Sequence, residues 1–214
     1  MGIKACIFDL DGVIVDTAKY HYLAWKRLAD EFGFDFTEEQ NERLKGVSRM
    51  KSLDILLEIG GLAVDDQTKL ELAEKKNEWY REYISKMTKE EILPGAKEFL
   101  EVLRLKEYKI ALGSVSKNAM TILGNVDLIN KFDVIIDGNK VTKAKPDPEV
   151  FLSGARELGV PPEKCVVFED AQAGIEAAIN AGMHSIGIGD AKILGKADYV
   201  IPSLKQMTLD RLVF

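Results

Sequence analysis

The stretch IKACIFDLDG, residues 3–12, decides the fold. Residues 3–8 form a largely apolar run with the length and composition of a buried β-strand, which ends directly before Asp9. Asp9 and Asp11 therefore stand together at a strand end, and Gly12 allows the chain to turn away there. A strand that is apolar on both faces has to be covered on both faces, so the segment belongs to a larger sheet.

The rest of that sheet is predicted from Leu93 onward, where short apolar segments alternate with helical patterns. The predicted strands lie at 109–113, 132–136, 165–168, 185–188 and 199–201, and the predicted helices at 94–105, after Lys117, at 148–158 and at 171–181. Apolar strands that alternate with helices form a parallel sheet covered on both faces. The predicted fold class is therefore α/β.

A long helical stretch separates the first strand from the others. It contains three amphipathic patterns, one around Trp25, one after Ser48 and one around Lys76. Because the first strand can pair only with the later strands, the helical stretch is interpreted as an insertion. The predicted domains are a discontinuous catalytic core of residues 1–15 and 92–214 and an inserted helical cap of residues 16–91.

Polar residues follow the predicted strands at their carboxyl ends, the edge where open α/β sheets bind ligands. They are Asp9 and Asp11, Ser114, Lys145, and the adjacent acids Glu169 and Asp170. Each alone has an ordinary structural explanation, such as a polar turn, a helix N-cap or a proline-bounded helix start. Their occurrence together on one edge of one sheet favours a functional site.

The residue types at this edge suit phosphoryl transfer. A carboxylate that attacks phosphorus forms an acyl phosphate, so Asp9 is the predicted nucleophile. Attack of one anion on another needs positive charge, part of which Lys145 supplies. A Mg²⁺ ion held by Asp9, Glu169 and Asp170 would supply the rest. Asp11, two residues after the nucleophile, is placed to act as general acid and base.

Composition excludes several other classes of protein. The 29 Lys and Arg residues against 35 Asp and Glu give a net charge of −6, which argues against broad nucleic-acid binding. Cys6 and Cys165 lie in apolar runs and are expected to be buried free thiols, as in a reducing compartment. No segment reads as a signal peptide or approaches the roughly 20 apolar residues of a membrane span. We expect a monomeric cytoplasmic protein with no nucleic-acid or membrane partner.

The four motifs resemble, in order and placement, those of the haloacid dehalogenase-like phosphotransferases, over essentially the whole chain. The resemblance implies a Rossmann-like core, an aspartyl-phosphate intermediate and Mg²⁺ as cofactor. It implies Asp9 as nucleophile, Asp11 as general acid and base, and Ser114 with Lys145 as ligands of the transferring phosphoryl group. The metal ligands that it implies are Asp9, the backbone carbonyl of Asp11, Glu169 and Asp170.

Arg49 is the most informative residue of the predicted cap. It stands in the first helical turn after Ser48, where a cation opposes the helix dipole unless an anion lies nearby. A phosphate would suit both its guanidinium group and the helix N-terminus, and a solvent-facing side chain is the alternative. A phosphate clamp in the cap implies a substrate with a second phosphate, as a mutase working through a bisphosphate requires.

The cap segments, together with SVSKN at 114–118, resemble those of sugar-phosphate mutases of the same family. The resemblance implies small sugar phosphates as partners, with β-glucose 1-phosphate and glucose 6-phosphate interconverted through β-glucose 1,6-bisphosphate. Arg49 would hold the phosphate that is not transferred, and cap closure about hinges near 15–17 and 89–94 would exclude water. The substrate-binding residues that it implies are His21, Trp25, Gly46, Val47, Ser48, Arg49, Lys76, Ser116, Lys117 and Asn118.

Several alternatives stay open at this point. A sugar-phosphate phosphatase of the same superfamily would use Asp9 and Asp11 alike, with water as acceptor, and a non-catalytic module would bind phosphorylated ligands without turnover. His21 and Lys76 could be structural, with the Lys76 ammonium extending to solvent. Val115 stands where the family pattern has a smaller residue, which leaves the exact sugar and anomer open.

Overall fold

The computed structural model describes residues 2–44 and 47–214 and divides the chain into two compact units. The larger unit comprises the chain up to Asp16 together with Met87–Phe214, and the smaller unit comprises Thr17–Lys86. The divisions fall after Asp16 and after Lys86, whereas the sequence predicts them after residues 15 and 91.

The smaller unit is helical. Its helices are α1 (Ala18–Glu31), α2 (Glu38–Asn41), α3 (Arg49–Ile59) and α4 (Asp66–Ile84). Helix α4 packs against both α1 and α3. Ser48 is the N-cap of α3, as the sequence predicts, and its hydroxyl accepts a hydrogen bond from the Lys51 amide. Thr37 and Gln40 form a capping box at the start of α2. The sequence does not predict this helix, because no apolar run follows the two residues.

The larger unit is built on one parallel sheet. Its strands are β1 (Ala5–Phe8), β2 (Lys109–Gly113), β3 (Val134–Ile136), β4 (Cys165–Glu169), β5 (His184–Ile188) and β6 (Tyr199–Ile201). Their order in the sheet is β3-β2-β1-β4-β5-β6. Both neighbours of β1 begin opposite Ala5, which is why β1 starts two residues after the predicted position. Every residue of β1 is fully buried, as a central strand covered on both faces requires.

Helices cover both faces of this sheet. They are α5 (Ala96–Leu105), α6 (Ala119–Asn125), α7 (Glu149–Leu158) and α8 (Gln172–Asn180). Ile7 and Val167 of the sheet share one core with Phe151 of α7 and Ala177 of α8. On the opposite face Phe8, Phe99 of α5 and Phe168 form an aromatic cluster.

The predicted α/β fold with a parallel sheet is confirmed by this architecture. The side chains of Cys6 and Cys165 are buried free thiols, as expected. Across residues 2–44 and 47–214, none of the helices combines the length and apolar character that crossing a membrane requires.

The two segments that connect the units run beside each other within the larger unit. Val15 pairs with Ile92 in an isolated antiparallel bridge. The amide of Asp16 donates to the carbonyl of Glu91 at 2.8 Å. The amide of Leu93 donates to the carbonyl of Ile14 at 2.9 Å. Hinge movement at these segments stays a prediction.

Candidate active site

Lys145 lies between two carboxylates at the carboxyl edge of the sheet. Its ammonium donates to Asp9 Oδ1 at 2.5 Å and to Glu169 Oε2 at 2.7 Å. Asp9 follows β1 and Glu169 ends β4, and these strands are neighbours, so the sheet itself brings the two acids together. All three side chains are buried. A single lysine therefore balances two acids away from water.

Burial governs the ionisation of this cluster. Burial raises the pKa of Asp9 to about 7, an effect that Lys145 opposes and the Glu169 carboxylate strengthens. Burial by itself lowers the pKa of Lys145, but the Asp9 and Glu169 carboxylates outweigh it and raise that pKa above its usual value. Lys145 therefore stays a cation, and the cluster retains an excess of negative charge.

A divalent cation fits this excess. Asp9, Glu169 and Asp170 each offer a carboxylate oxygen, and these oxygens lie within 4.8 Å of one another. When all three carboxylates are ionised, one lysine leaves a net charge of about −2, and hard oxygen donors are the ligands that Mg²⁺ prefers. The amides of Asp170 and Ala171 donate to Glu169 Oε1 and hold that carboxylate in place. These residues fit Mg²⁺. Ligation of the metal by the backbone carbonyl of Asp11 stays a prediction.

Two glycines make room for the carboxylates. Gly12 has a φ of +83°, and a side chain there would also collide with the Asp170 carboxylate. Gly174, in the first turn of α8, lies so close to the Glu169 carboxylate that a Cβ atom would overlap it. The small residues after each acidic motif are thus part of the site.

Asp11 stands at the turn that follows the nucleophile. The turn is closed by hydrogen bonds from the Gly12 amide to the Val15 carbonyl and from the Ile14 amide to the Leu10 carbonyl, each 2.9 Å. The Asp11 amide donates to the Asp9 carboxylate and lowers its pKa slightly against the effect of burial. Asp11 itself is half-buried. The turn thus ties the backbone of the proposed acid and base to the proposed nucleophile.

The predicted phosphate-binding loop begins at the end of β2. The Ser114 hydroxyl accepts the Ser116 amide at 3.1 Å, and the Ser116 hydroxyl accepts the Asn118 amide at 3.3 Å. Ser114 is buried, Ser116 and Asn118 are half-buried, and Lys117 is exposed. The loop therefore leaves the buried strand end and is most exposed at Lys117.

A second loop, residues 137–139, supports the first, and sequence reasoning missed it. The Gly138 amide donates to the Ser116 carbonyl, and Asn139 Nδ2 donates to the Lys117 carbonyl, both at 3.1 Å. The Asp137 carboxylate accepts the amide and the side-chain NH₂ of Asn139. The available signal was a run of polar residues directly after the strand at 132–136.

Arg49 has an anionic partner inside the smaller unit. Its Nη1 donates to Glu74 Oε2 at 3.1 Å, and its Nη2 donates to Asn77 Oδ1 at 2.8 Å. Asn77 Nδ2 in turn donates to Glu74 Oε1 at 3.3 Å. Burial lowers the pKa of Arg49, and the Glu74 carboxylate opposes that change. Within the chain itself, the anionic group beside Arg49 is Glu74, and the phosphate predicted at Arg49 stays a prediction.

Lys76 is buried rather than extended to solvent, so the alternative of a solvent-facing ammonium is wrong. Its Nζ lies 3.0 Å from His21 Nδ1 and 4.4 Å from the ring centre of Trp25. The ring of His21 stacks on that of Tyr80 at 4.1 Å. Because an ammonium only donates, Nδ1 accepts the bond and the ring proton resides on Nε2. Burial lowers the pKa of His21 well below its usual value, and the positive charges of Lys76 and Arg49 lower it further.

The remaining predicted cap residues have simpler surroundings. Trp25 is buried in the helical core, and Val47 and Ser48 are half-buried at the start of α3. Gly46 lies outside the described residues. The structure therefore brings Asp9, Lys145, Glu169 and Asp170 together in the larger unit. In the smaller unit it brings His21, Trp25 and Lys76 together.

Comparisons with known proteins add an independent line of evidence. The model of the family described as haloacid dehalogenase-like hydrolase matches residues 6–188. The chain is 44% identical to a β-phosphoglucomutase of Bacillus subtilis, over 98% of this chain and 94% of the relative. It is 37% identical to a phosphorylated carbohydrates phosphatase of Thermotoga maritima, over 92% of this chain and 93% of the relative. It superposes on a β-phosphoglucomutase structure from Clostridium difficile with a TM-score of 0.92 and 44% identity, covering 98% of this chain and 95% of that one.

Proposed function

The chain belongs to the haloacid dehalogenase-like hydrolase family, and from that premise we propose that it is a Mg²⁺-dependent β-phosphoglucomutase. The isomerase would interconvert β-glucose 1-phosphate and glucose 6-phosphate, with β-glucose 1,6-bisphosphate as intermediate and activator. The observation that carries the proposal is the presence of two separate cationic groups suited to phosphate. One is Lys145 beside Asp9, and the other is Arg49 in the smaller unit.

Asp9 is the proposed nucleophile. One of its carboxylate oxygens forms a bond to phosphorus while the bond from phosphorus to the sugar oxygen breaks, which leaves an aspartyl phosphate. Lys145 already donates to Asp9, and its ammonium can also stabilise charge on the phosphoryl oxygens. The Ser114 hydroxyl, at the end of the adjacent strand β2, would bind the same phosphoryl group.

Asp11 is the proposed general acid and base. It gives a proton to the sugar oxygen that leaves phosphorus, and it removes the proton from the hydroxyl that attacks the aspartyl phosphate in the return step. Its position two residues after Asp9, in the turn that follows β1, supports this role.

Asp9, Glu169 and Asp170 would hold the metal ion. When bound, Mg²⁺ supplies positive charge that compensates the charge of the phosphoryl oxygens. Lys145 donates to Asp9 and Glu169 and would hold these two carboxylates in place beside the metal ligands.

Arg49 would hold the phosphate that is not being transferred, together with Ser116, Lys117 and Asn118. A planar guanidinium matches a phosphate with two parallel hydrogen bonds. His21, a neutral donor through Nε2, and Lys76 would contact the sugar or support closure. Gly46, Val47 and Ser48 complete the proposed set of substrate-binding residues.

A sugar-phosphate phosphatase is the second candidate, and the Thermotoga relative favours it. It would use Asp9 and Asp11 in the same way and pass the phosphoryl group to water. A phosphatase has no need for a second phosphate-binding arginine, so Arg49 separates the two functions.

A ³¹P NMR time course tests the proposal. The protein is mixed with β-glucose 1-phosphate, Mg²⁺ and a trace of β-glucose 1,6-bisphosphate. Growth of the glucose 6-phosphate signal supports the mutase, whereas growth of inorganic phosphate supports the phosphatase. Asp9→Asn serves as the control, because removal of the nucleophile should abolish either reaction by at least about 10⁴-fold. Turnover by Asp9→Asn at a near-normal rate would overturn the mechanism.

A further inference from the structure

Arg49 and Glu74 form a pair that the proposed reaction does not use. Arg49 is the first residue of α3, and Glu74 lies on α4 within the same unit. Nη1 donates to the Glu74 carboxylate and Nη2 donates to the Asn77 amide oxygen. These two terminal nitrogens are the donors that a guanidinium offers to a phosphate in a paired geometry.

The Glu74 carboxylate is held in position by Asn77 as well as by Arg49. Glu74 and Asn77 lie three residues apart on α4, on the same helical face. Asn77 is buried and donates to the second oxygen of the Glu74 carboxylate. Glu74, Asn77 and Arg49 therefore form a closed ring of three hydrogen bonds, which holds the carboxylate against the guanidinium.

We propose that Glu74 is a specificity-determining residue that competes with the substrate's distal phosphate for Arg49. The inference rests on the proposed function, in which Arg49 binds that phosphate. The Glu74 side chain is 58% exposed and that of Arg49 29%, so their ion pair is weak enough for a dianionic phosphate to displace. The displaced carboxylate stays on the same helix and can pair with Arg49 again when the phosphate leaves.

This competition suits a mutase. The bisphosphate must leave Arg49, reverse its orientation and bind again with the other phosphate. Glu74 gives the guanidinium a partner at the moment the phosphate departs, so release does not leave an unpaired, partly buried cation. Glu74 therefore lowers the affinity for each phosphate and favours exchange of the two ends.

Glu74→Gln tests the inference, because glutamine keeps the shape and removes the charge. We expect KM for β-glucose 1-phosphate to fall about two- to fivefold, the range that exposed ion pairs produce, and the difference to shrink at high salt. Glu78→Gln is the matched control, since Glu78 is an exposed acid on the same helix, and its KM should not change. An unchanged or higher KM in Glu74→Gln, with an unaltered melting temperature, overturns the inference.

A double-mutant cycle separates this inference from the proposed function. In an Arg49→Ala background, Glu74→Gln should have no effect on KM, because the residue acts through Arg49. Calorimetric binding of glucose 6-phosphate gives the same comparison without turnover. If the wild type forms no glucose 6-phosphate from β-glucose 1-phosphate, the proposed function fails. Tighter binding of glucose 6-phosphate by Glu74→Gln that requires Arg49 would still support the role of Glu74. If the mutase reaction proceeds and affinity in Glu74→Gln is unchanged, only the role of Glu74 fails.

Discussion

The two units hold their functional cations in different ways. In the larger unit, Lys145 is buried between Asp9 and Glu169, and both of these carboxylates are buried as well. In the smaller unit, Arg49 is paired with Glu74, whose side chain is more than half exposed. A buried ion pair is costly to break, whereas an exposed one exchanges readily. The comparison indicates that Lys145 keeps its partners during the chemistry, whereas Arg49 exchanges Glu74 for a bound phosphate.

Removal of Lys145 should have the largest effect. Lys145→Ala leaves two buried carboxylates without their cation, and we expect a loss of about 3–5 kcal/mol in the free energy of unfolding. Urea unfolding without Mg²⁺ measures it, and added Mg²⁺ should recover part of the loss. Lys143→Ala, which removes an exposed ion pair with Asp147, should cost less than about 1 kcal/mol. Equal losses in the two variants would contradict the contrast between fixed and exchangeable cations.

Arg49→Ala should give the opposite pattern. The pair with Glu74 is partly exposed, and Asn77 keeps its bond to Glu74, so the free energy of unfolding should fall by only about 1 kcal/mol. Mutase activity should fall about ten- to hundredfold through the loss of charge-assisted hydrogen bonds to phosphate. The ³¹P assay checks this, with Arg43→Ala as control because Arg43 forms a comparable exposed pair with Glu58. Unaltered mutase activity in Arg49→Ala would contradict the proposed role of Arg49 in binding the second phosphate.

Asn139 should have a smaller effect of a different kind. Asn139→Ala removes the hydrogen bond to the Lys117 carbonyl, and a net loss of about 1 kcal/mol raises KM roughly fivefold. The value of kcat should change little, because Asn139 positions the loop rather than the reacting atoms. Steady-state kinetics with Asn130→Ala, an exposed asparagine of the same unit, provide the control. A fall in kcat alone would contradict a positioning role.

The smallest effect concerns the ionisation of His21. Its pKa in the folded protein is lowered, so below about pH 6.5 the unfolded chain binds the proton that the folded chain does not. Stability therefore falls as the pH decreases from about 6.5 toward the folded pKa, by at most about 1.4 kcal/mol per pH unit. The difference between wild type and His21→Gln, measured by urea unfolding from pH 7 to 5.5, isolates this contribution. Parallel curves would mean that His21 does not titrate as described.

The core site could be predicted well from the sequence because its acids and its serine end or follow strands. Asp9, Ser114 and Glu169 end or follow β1, β2 and β4, which are neighbours in the sheet. Parallel strands place their carboxyl ends on one edge, so a strand prediction is also a prediction of proximity. Lys145 fits the same edge, although only the structure shows that it joins both acids.

The supporting contacts could not be predicted in the same way. Asn139 acts through a backbone carbonyl of another loop, and such a contact has no sequence pattern. Glu74 reads as an ordinary surface acid, because helical spacing gives no information about the neighbouring helix. The burial of Lys76 was equally undetermined, since a long lysine side chain can lie in a core stripe or extend from it.

The sequence by itself determined the α/β fold, the order of the motifs and the identity of the charged groups, because strand and helix periodicity and chain order are local properties. Only the tertiary structure decided which charges meet: Lys145 with two buried acids, Arg49 with Glu74, and Lys76 with His21. The physical reason is that burial and distance set the strength of charge interactions, and both depend on how separate elements pack.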